Sequence, residues 1–152
     1  MKYAPVSGLL LSGCLAALSR GGADRQAKQA SSDCLREQPR ERSAARALPE
    51  KLDGRWQCFY SDNLGGSVSE SLSFNVVGRD LTVTGRDNDG DNVLMDGRVS
   101  ENRLVFQVQG RSLTVLSSRS DQLLDGNTSY VYEDDSTGAT MCHRSRYTCQ
   151  RR

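Results

Sequence analysis

The residues of this 152-residue chain best suited to chemistry are its five cysteines and single histidine. Cys34, Cys58, Cys142 and Cys149 form an even set. Thiols in such a set either ligate a metal or oxidise in pairs. Zinc sites favour Cys-x-x-Cys spacing and added histidines; no such spacing is present and there is one histidine, so the four read as two disulfides in an oxidising compartment. Their spacing alone leaves three connectivities open. His143 follows Cys142 and is flanked by Arg144 and Arg146. Neighbouring positive charge favours a neutral imidazole, and no serine or free thiol stands in a nucleophile's setting, so His143 reads as a surface residue of a terminal strand. Asp87-Asn88-Asp89-Gly90-Asp91 is rich in oxygen ligands. A calcium loop of the EF-hand type needs Gly sixth and Glu twelfth, whereas Gly90 is fourth and Arg98 twelfth; a polar hairpin turn fits better. Glu133-Asp134-Asp135 could pair carboxylates for glycoside cleavage, but an acidic run in a loop reads as a solvated tip. The chain is therefore not read as an enzyme, and no metal or cofactor is assigned to it.

The fifth cysteine belongs to a different context. Residues 1–13 carry one charge, Lys2, followed by an apolar run that ends in Leu11-Ser12-Gly13, with Cys14 next. This is the layout of a secretory signal, and Leu11-Ser12-Gly13-Cys14 resembles the lipobox of bacterial lipoproteins. The resemblance implies cleavage before Cys14, a thioether-linked diacylglycerol on its sulfur and an acylated amino group. At roughly 0.8 kcal/mol per buried methylene, several acyl chains hold a protein to a bilayer essentially permanently. A spanning helix needs about 20 apolar residues, and Arg20 ends this run too early. Leu15 after the cysteine, by the sorting rule of enteric bacteria, implies the outer membrane, with the domain facing the periplasm.

Charge is segregated along the chain. Residues 15–53 hold eight basic and six acidic side chains, residues 54–141 seven and thirteen, and residues 142–152 four and none. A middle region near minus six repels phosphate and excludes nucleic acid as a partner. About 139 residues remain after signal removal, enough for one domain.

Positioning elements follow from periodicity. Residues 14–33 contain almost no large apolar side chains after Leu18 and read as a lipidated flexible tether. Residues 34–53 read as a short helix and linker, with the helix between Pro39 and Pro49 over about 41–48 and held by Cys34. From Gly54 the period becomes two. Trp56, Cys58 and Tyr60 share a face, as do Val68, Leu72, Phe74 and Val76; Leu81 and Val83; Val93, Met95 and Val99; Leu104, Phe106 and Val108; and Leu113 and Val115. Glu70 shares the apolar parity, which places it near an open sheet end or beside a bulge. Turn signals recur about every ten residues, with no room for crossover helices. The fold class is all-β: a small antiparallel up-and-down barrel of about eight strands over residues 54–152, ending in a basic C-terminal tail. Trp56, Tyr60, Phe74 and Phe106 are its expected core, with Tyr130 and Tyr132 as further large pieces.

Gly54-Arg55-Trp56 resembles the Gly-x-Trp opening of lipocalins, which implies a lipid-binding barrel, although so short a chain makes a narrow barrel filled by side chains. The chain is also similar to membrane-bound inhibitors of c-type lysozyme, small lipidated barrels with one cysteine on the first strand and another near the C-terminus, as with Cys58 and Cys142.

In a closed meander the first and last strands are neighbours, which predicts Cys58 bonded to Cys142 and leaves Cys34 to Cys149. Alternate turns share a barrel end, so Asp87, Asp89, Asp91 and Asp125 are expected in one negative rim, with Glu133 to Asp135 at the other end. The rim suits a cationic partner such as a lysozyme or another cell-wall-degrading enzyme, which makes the chain a protein-binding module, inhibitor or immunity protein. A lipocalin-like carrier of a small apolar ligand is the alternative, with the Trp56 end as floor. A structural envelope lipoprotein is the third reading. Oligomeric state has no sequence signal.

Overall fold

The computed structural model describes residues 16–37, 46–86 and 89–152. Cys14 and the signal segment lie outside the described residues, as do Asp87 and most of the helix expected at 41–48. Helix α1 (Ala16–Cys34) is followed by eight strands: β1 (Gly54–Ser61), β2 (Ser67–Val77), β3 (Asp80–Arg86), β4 (Asn92–Ser100), β5 (Arg103–Val108), β6 (Ser112–Ser120), β7 (Leu123–Glu133) and β8 (Thr140–Arg151). Each strand pairs antiparallel with the next, and β1 pairs with β8, closing the sheet into a barrel. The expected all-β meander is thus the fold.

Alternation puts one set of side chains inside. Trp56, Leu72, Phe74, Leu81, Val83, Leu104, Phe106, Leu116 and Leu124 make a buried core, which Tyr147 and the Cys58–Cys149 pair join. Trp56 stacks on Phe74 at 5.7 Å, and Phe74 meets Phe106 at 5.8 Å. Tyr60, expected in the core, is half-buried against it. In β6 the parity is the reverse of the expected one: Thr114 and Leu116 lie opposite inward Phe106 and Leu104, so Leu113 and Val115 point outward. Both outward Val105 and Leu113 are buried, so apolar residues occupy both faces of β5 and β6 and period two cannot choose between them.

Three inward glycines let the strands bend around this core. At Gly126 a Cβ would run into the Val115 carbonyl oxygen, and at Gly85 and Gly97 into those of Ser71 and Val105. Only glycine allows backbones so close at a barrel corner.

One barrel end is plugged. Residues 46–53 fold across it, with Leu52 buried, the Leu52 carbonyl accepting a 3.0 Å bond from Trp56 Nε1, and Arg46 bridged to Ser118. Arg46 to Leu48, the described end of the helix expected at 41–48, are thus not helical. Arg151 donates to the carbonyls of Lys51 and Asp53 and lies 5.0 Å over the Trp56 ring. The basic C-terminal residues are consequently a closing strand, not a tail.

The stretch read as a flexible tether is corrected to helix α1. Gly21 to Gln26 and Lys28 are exposed, and of its described side chains those near the C-terminal end pack against the wall. There Cys34 is buried and disulfide-bonded to Cys142 of β8, with a Cα–Cα distance of 5.7 Å. Arg144 Nη2 donates to the Asp33 carbonyl at 3.1 Å, a cation at a helix C-terminus, where the helix dipole favours it. Beyond the helix, Glu37 pairs with Arg98 and Arg103 on β4 and β5. Among the described residues no helix is long and apolar enough to cross a membrane.

The second disulfide joins Cys58 to Cys149, directly opposite in the β1–β8 ladder with Cα atoms 4.0 Å apart. All four cysteines are bonded as expected, but the pairing is corrected. β8 runs back from Thr140 to Arg151, so the residue that meets Cys58 is the one near its end, and Cys142 falls on the outward face where α1 lies.

Candidate functional site

Up-and-down topology sorts the loops. Residues 62–66, 89–91, 109–111 and 134–139 lie at the end away from the plug. Asp89 and Asp91 therefore share an end with Asp62 and with Glu133, Asp134 and Asp135, which were expected opposite. Asp134 is locked by its turn: its Oδ1 accepts from the backbone and hydroxyl groups of Ser136 and Thr137, and these bonds hold its carboxyl below the usual range. Asp125, expected in this rim, is not part of it. It lies two residues into β7 near the plugged end, on the outer wall, and is 8% exposed. Arg146 Nε donates to it at 2.7 Å and Arg119 Nε at 3.2 Å. Burial alone would raise its pKa, but the two guanidinium groups outweigh burial and hold it low. Its apparent turn signal, Asp125-Gly126-Asn127, marks a barrel corner instead.

Inside the same open end the apolar lining gives way to polar groups. Glu70, Thr114, Thr128, Ser112 and Tyr130 occupy inward positions there and, with Tyr60, Met95 and Tyr147, line a cavity of about 150 Å³. Thr114 and Thr128 face each other across β6 and β7 and share a hydroxyl hydrogen bond of 2.9 Å. Tyr147 Oη donates to Glu70 Oε2. Burial, and then the Glu70 carboxylate beside it, push the Tyr147 phenol far above its ordinary range, so it remains a donor at any physiological pH. Tyr60 stacks on Tyr147 at 5.3 Å with ring planes 17° apart, and Phe106 meets Tyr147 edge-on at 6.2 Å. The cavity thus rests directly on the aromatic core.

The seam beside it is short. β1 and β8 pair over only four residues on each strand, from Trp56 to Phe59, whereas β7 and β8 pair over eleven. Past Phe59 side chains bridge the gap. Tyr130 Oη donates to Asn63 Oδ1 at 2.9 Å and accepts from the Asn63 amide at 2.6 Å, and burial raises its pKa. His143 Nε2 bonds the Ser61 carbonyl at 2.9 Å, and its ring lies 5.0 Å from Tyr130. His143 is therefore a seam contact.

Glu70 was visible in the sequence as a charge on an apolar parity, and it does face an open end. Tyr147, Thr114 and Thr128 were not visible: Tyr147 lies among alternating arginines, and the threonines were assigned to the wrong side of β6 or left unread in β7. Trp56, Phe74 and Phe106 are core beneath the cavity and do not line it. A larger groove of about 1100 Å³ runs over the outer faces of β1 to β4. Within it Gln57 donates to Ser69 and accepts from Ser71. Among the described residues no group of three His, Cys, Asp or Glu could hold a metal ion.

No family model matches the chain, and no curated protein matches it. Among solved structures, that of EF1p2_mFAP2b bound to DFHBI aligns with a TM-score of 0.48 and 15% identity, covering 66% of this chain and 94% of that one; the likeness is weak and no reading of this chain rests on it.

Proposed function

We propose that the chain is a non-enzymatic binding protein that takes a small polar molecule into the open end of its barrel, tethered to the bacterial envelope through acylated Cys14. The observation that supports this is the division of the interior. Aromatic and aliphatic side chains fill the plugged end, while hydroxyls and one carboxylate surround space at the other. The Thr114 and Thr128 hydroxyls bond each other and keep further hydrogen-bonding capacity, so a cavity lined this way suits water or a polar ligand better than an apolar one. The apolar-ligand version of a lipocalin-like carrier has little support, because a lipid tail would leave Glu70 and the threonines facing hydrocarbon.

The lipobox supports the envelope location, and the disulfides agree with an oxidising compartment. A fragment-library screen by NMR tests the cavity: binders should shift the Met95 methyl and the amides of Thr114 and Thr128. Shifts confined to the outer loops would overturn it. The acidic loops at the open end favour a second reading, a cationic protein docking on that rim. Under it, Asp89→Asn with Asp91→Asn should slow association of a lysozyme-like partner and flatten its salt dependence, with no change in fragment binding.

A further inference from the structure

We infer that the groove over the outer faces of β1 to β4 binds an acidic polysaccharide, at a site that shares no lining residue with the cavity and does not depend on it. Register builds the groove from two neighbouring rows across the four strands. Arg55, Ser73, Thr84 and Leu94 stand opposite one another in the first row, and Gln57, Ser71, Arg86 and Asn92 in the second. Ser71, Ser73 and Thr84 are short side chains between the longer Arg55 and Arg86, which leaves a hollow. Arg152 joins them beside β1, its amide donating to the Arg55 carbonyl at 3.0 Å. All three arginines are exposed, and the ion pairs formed among the described residues use Arg46, Arg98, Arg103, Arg119 and Arg146 instead. Among the described residues no carboxylate lines the groove; Asp91 and Asp96 border it on either side of residues 92–94. The segments that cover other parts of the outer wall, α1 on β7 and β8 and Glu37 on β4 and β5, leave this face open.

Charge and shape select the occupant. Guanidinium groups bind carboxylates by paired, charge-assisted hydrogen bonds, so a groove lined by three of them and no acid complements an anion. With strands about 4.8 Å apart and rows about 6.8 Å apart, Arg55 and Arg86 stand about 12 Å from each other, which suits carboxylates on separate units of one chain. A volume of about 1100 Å³ also exceeds the roughly 300 to 1000 Å³ of pockets for single small molecules. Between the arginines lie hydroxyls and amides, which both donate and accept, as the hydroxyls of a sugar do. The exposed Leu94 offers an apolar surface to the C–H face of a sugar ring. Other polyanions fit less well. Within the groove β1 to β3 are paired on both sides, so its floor offers no strand edge to an acidic peptide. Its one aromatic lining residue, Trp56, is buried, so a nucleic acid lacks a surface on which to stack. A flat bilayer does not enter a hollow.

The test titrates trigalacturonate, maltotriose and triglutamate into the full chain with both disulfides formed, at one ionic strength, and follows the amides of Ser73, Thr84 and Leu94 by NMR. Trigalacturonate should shift them at the lowest concentration, lose affinity as salt is added, and leave the cavity amides of Thr114 and Thr128 unmoved. Maltotriose, with the same hydroxyl chemistry and no charge, should bind roughly tenfold or more weakly. Arg55→Gln with Arg86→Gln should bring trigalacturonate down to the level of maltotriose. Maltotriose binding as tightly as trigalacturonate would overturn recognition by charge. Triglutamate binding as tightly at the same amides would overturn the choice of a polysaccharide, as would stronger shifts from phosphatidylglycerol bicelles. No shift of these amides by trigalacturonate would overturn the site and leave the cavity reading untouched. If the double variant fails to fold, as judged by loss of spectral dispersion, the ranking of the probes on the unaltered protein still decides.

Discussion

The Cys58–Cys149 bridge closes the barrel at its thinnest joint, and removing it should cost more than any single change on the surface. Replacing both residues by alanine leaves four ladder pairs to hold β1 to β8. In the chain-entropy account, a bridge across 91 residues taken alone contributes about 4.6 kcal/mol. It is not alone. With Cys34–Cys142 intact, the unfolded chain already connects Cys58 to Cys149 by a shorter path: 24 residues back to Cys34, across the first bridge, and seven residues on from Cys142. An effective loop of about 31 residues lowers the contribution to about 3.7 kcal/mol. The same path applies to Cys34→Ala with Cys142→Ala, so each bridge should cost about the same when removed first, and about a kilocalorie more when removed second. Equilibrium guanidinium unfolding followed by the fluorescence of Trp56 measures the loss, and the denaturant slope should rise because a less restrained unfolded chain exposes more surface. A loss below about 1 kcal/mol, or equal losses for the two-cysteine and four-cysteine variants, would refute the reasoning. Non-reducing peptide mapping that joined Cys58 to Cys142 would refute the pairing itself.

Other outcomes follow from named contacts. Asp125 has a folded pKa below its ordinary value, so its share of stability is present above the ordinary carboxylate range and is lost as pH falls through the folded value; acid unfolding curves of Asp125→Asn should show a shallower decline below about pH 4 than the parent. Gly126→Ala should destabilise by about 3 kcal/mol, read as a fall in melting temperature, because its Cβ would meet the Val115 backbone and neither strand can move without breaking the ladder; an unchanged melting temperature would show that the corner relaxes. Cys14→Ser should abolish incorporation of an alkyne fatty acid and leave the signal segment uncleaved; label retained in that variant would remove the anchor from the proposed function.

The architecture was legible in the pattern of the chain. Strict alternation at Trp56-Cys58-Tyr60 and Leu72-Phe74-Val76, turn residues about every ten positions and the lack of crossover lengths leave a closed antiparallel meander as the way to bury one face and remove the edges. The sequence also showed that four cysteines pair and that Glu70 is out of place on an apolar face.

Tertiary structure decided what periodicity cannot carry. Which cysteine of β8 meets Cys58 depends on register along the closing strand and on which of its faces is inward, since Cys142 and Cys149 stand seven residues apart and point to opposite sides. The inward parity of β6 was hidden because Val105 and Leu113 are buried on the outer side too. Asp125 left the rim because Gly126, a turn signal in sequence, serves a close approach of strands, and because Arg119 on β6 and Arg146, 21 residues away on β8, meet it on the outer wall. The cavity was hidden for the same reason. Glu70 and Tyr147 stand 77 residues apart, and only closure of the barrel brings a carboxylate, a phenol and two threonine hydroxyls around one space.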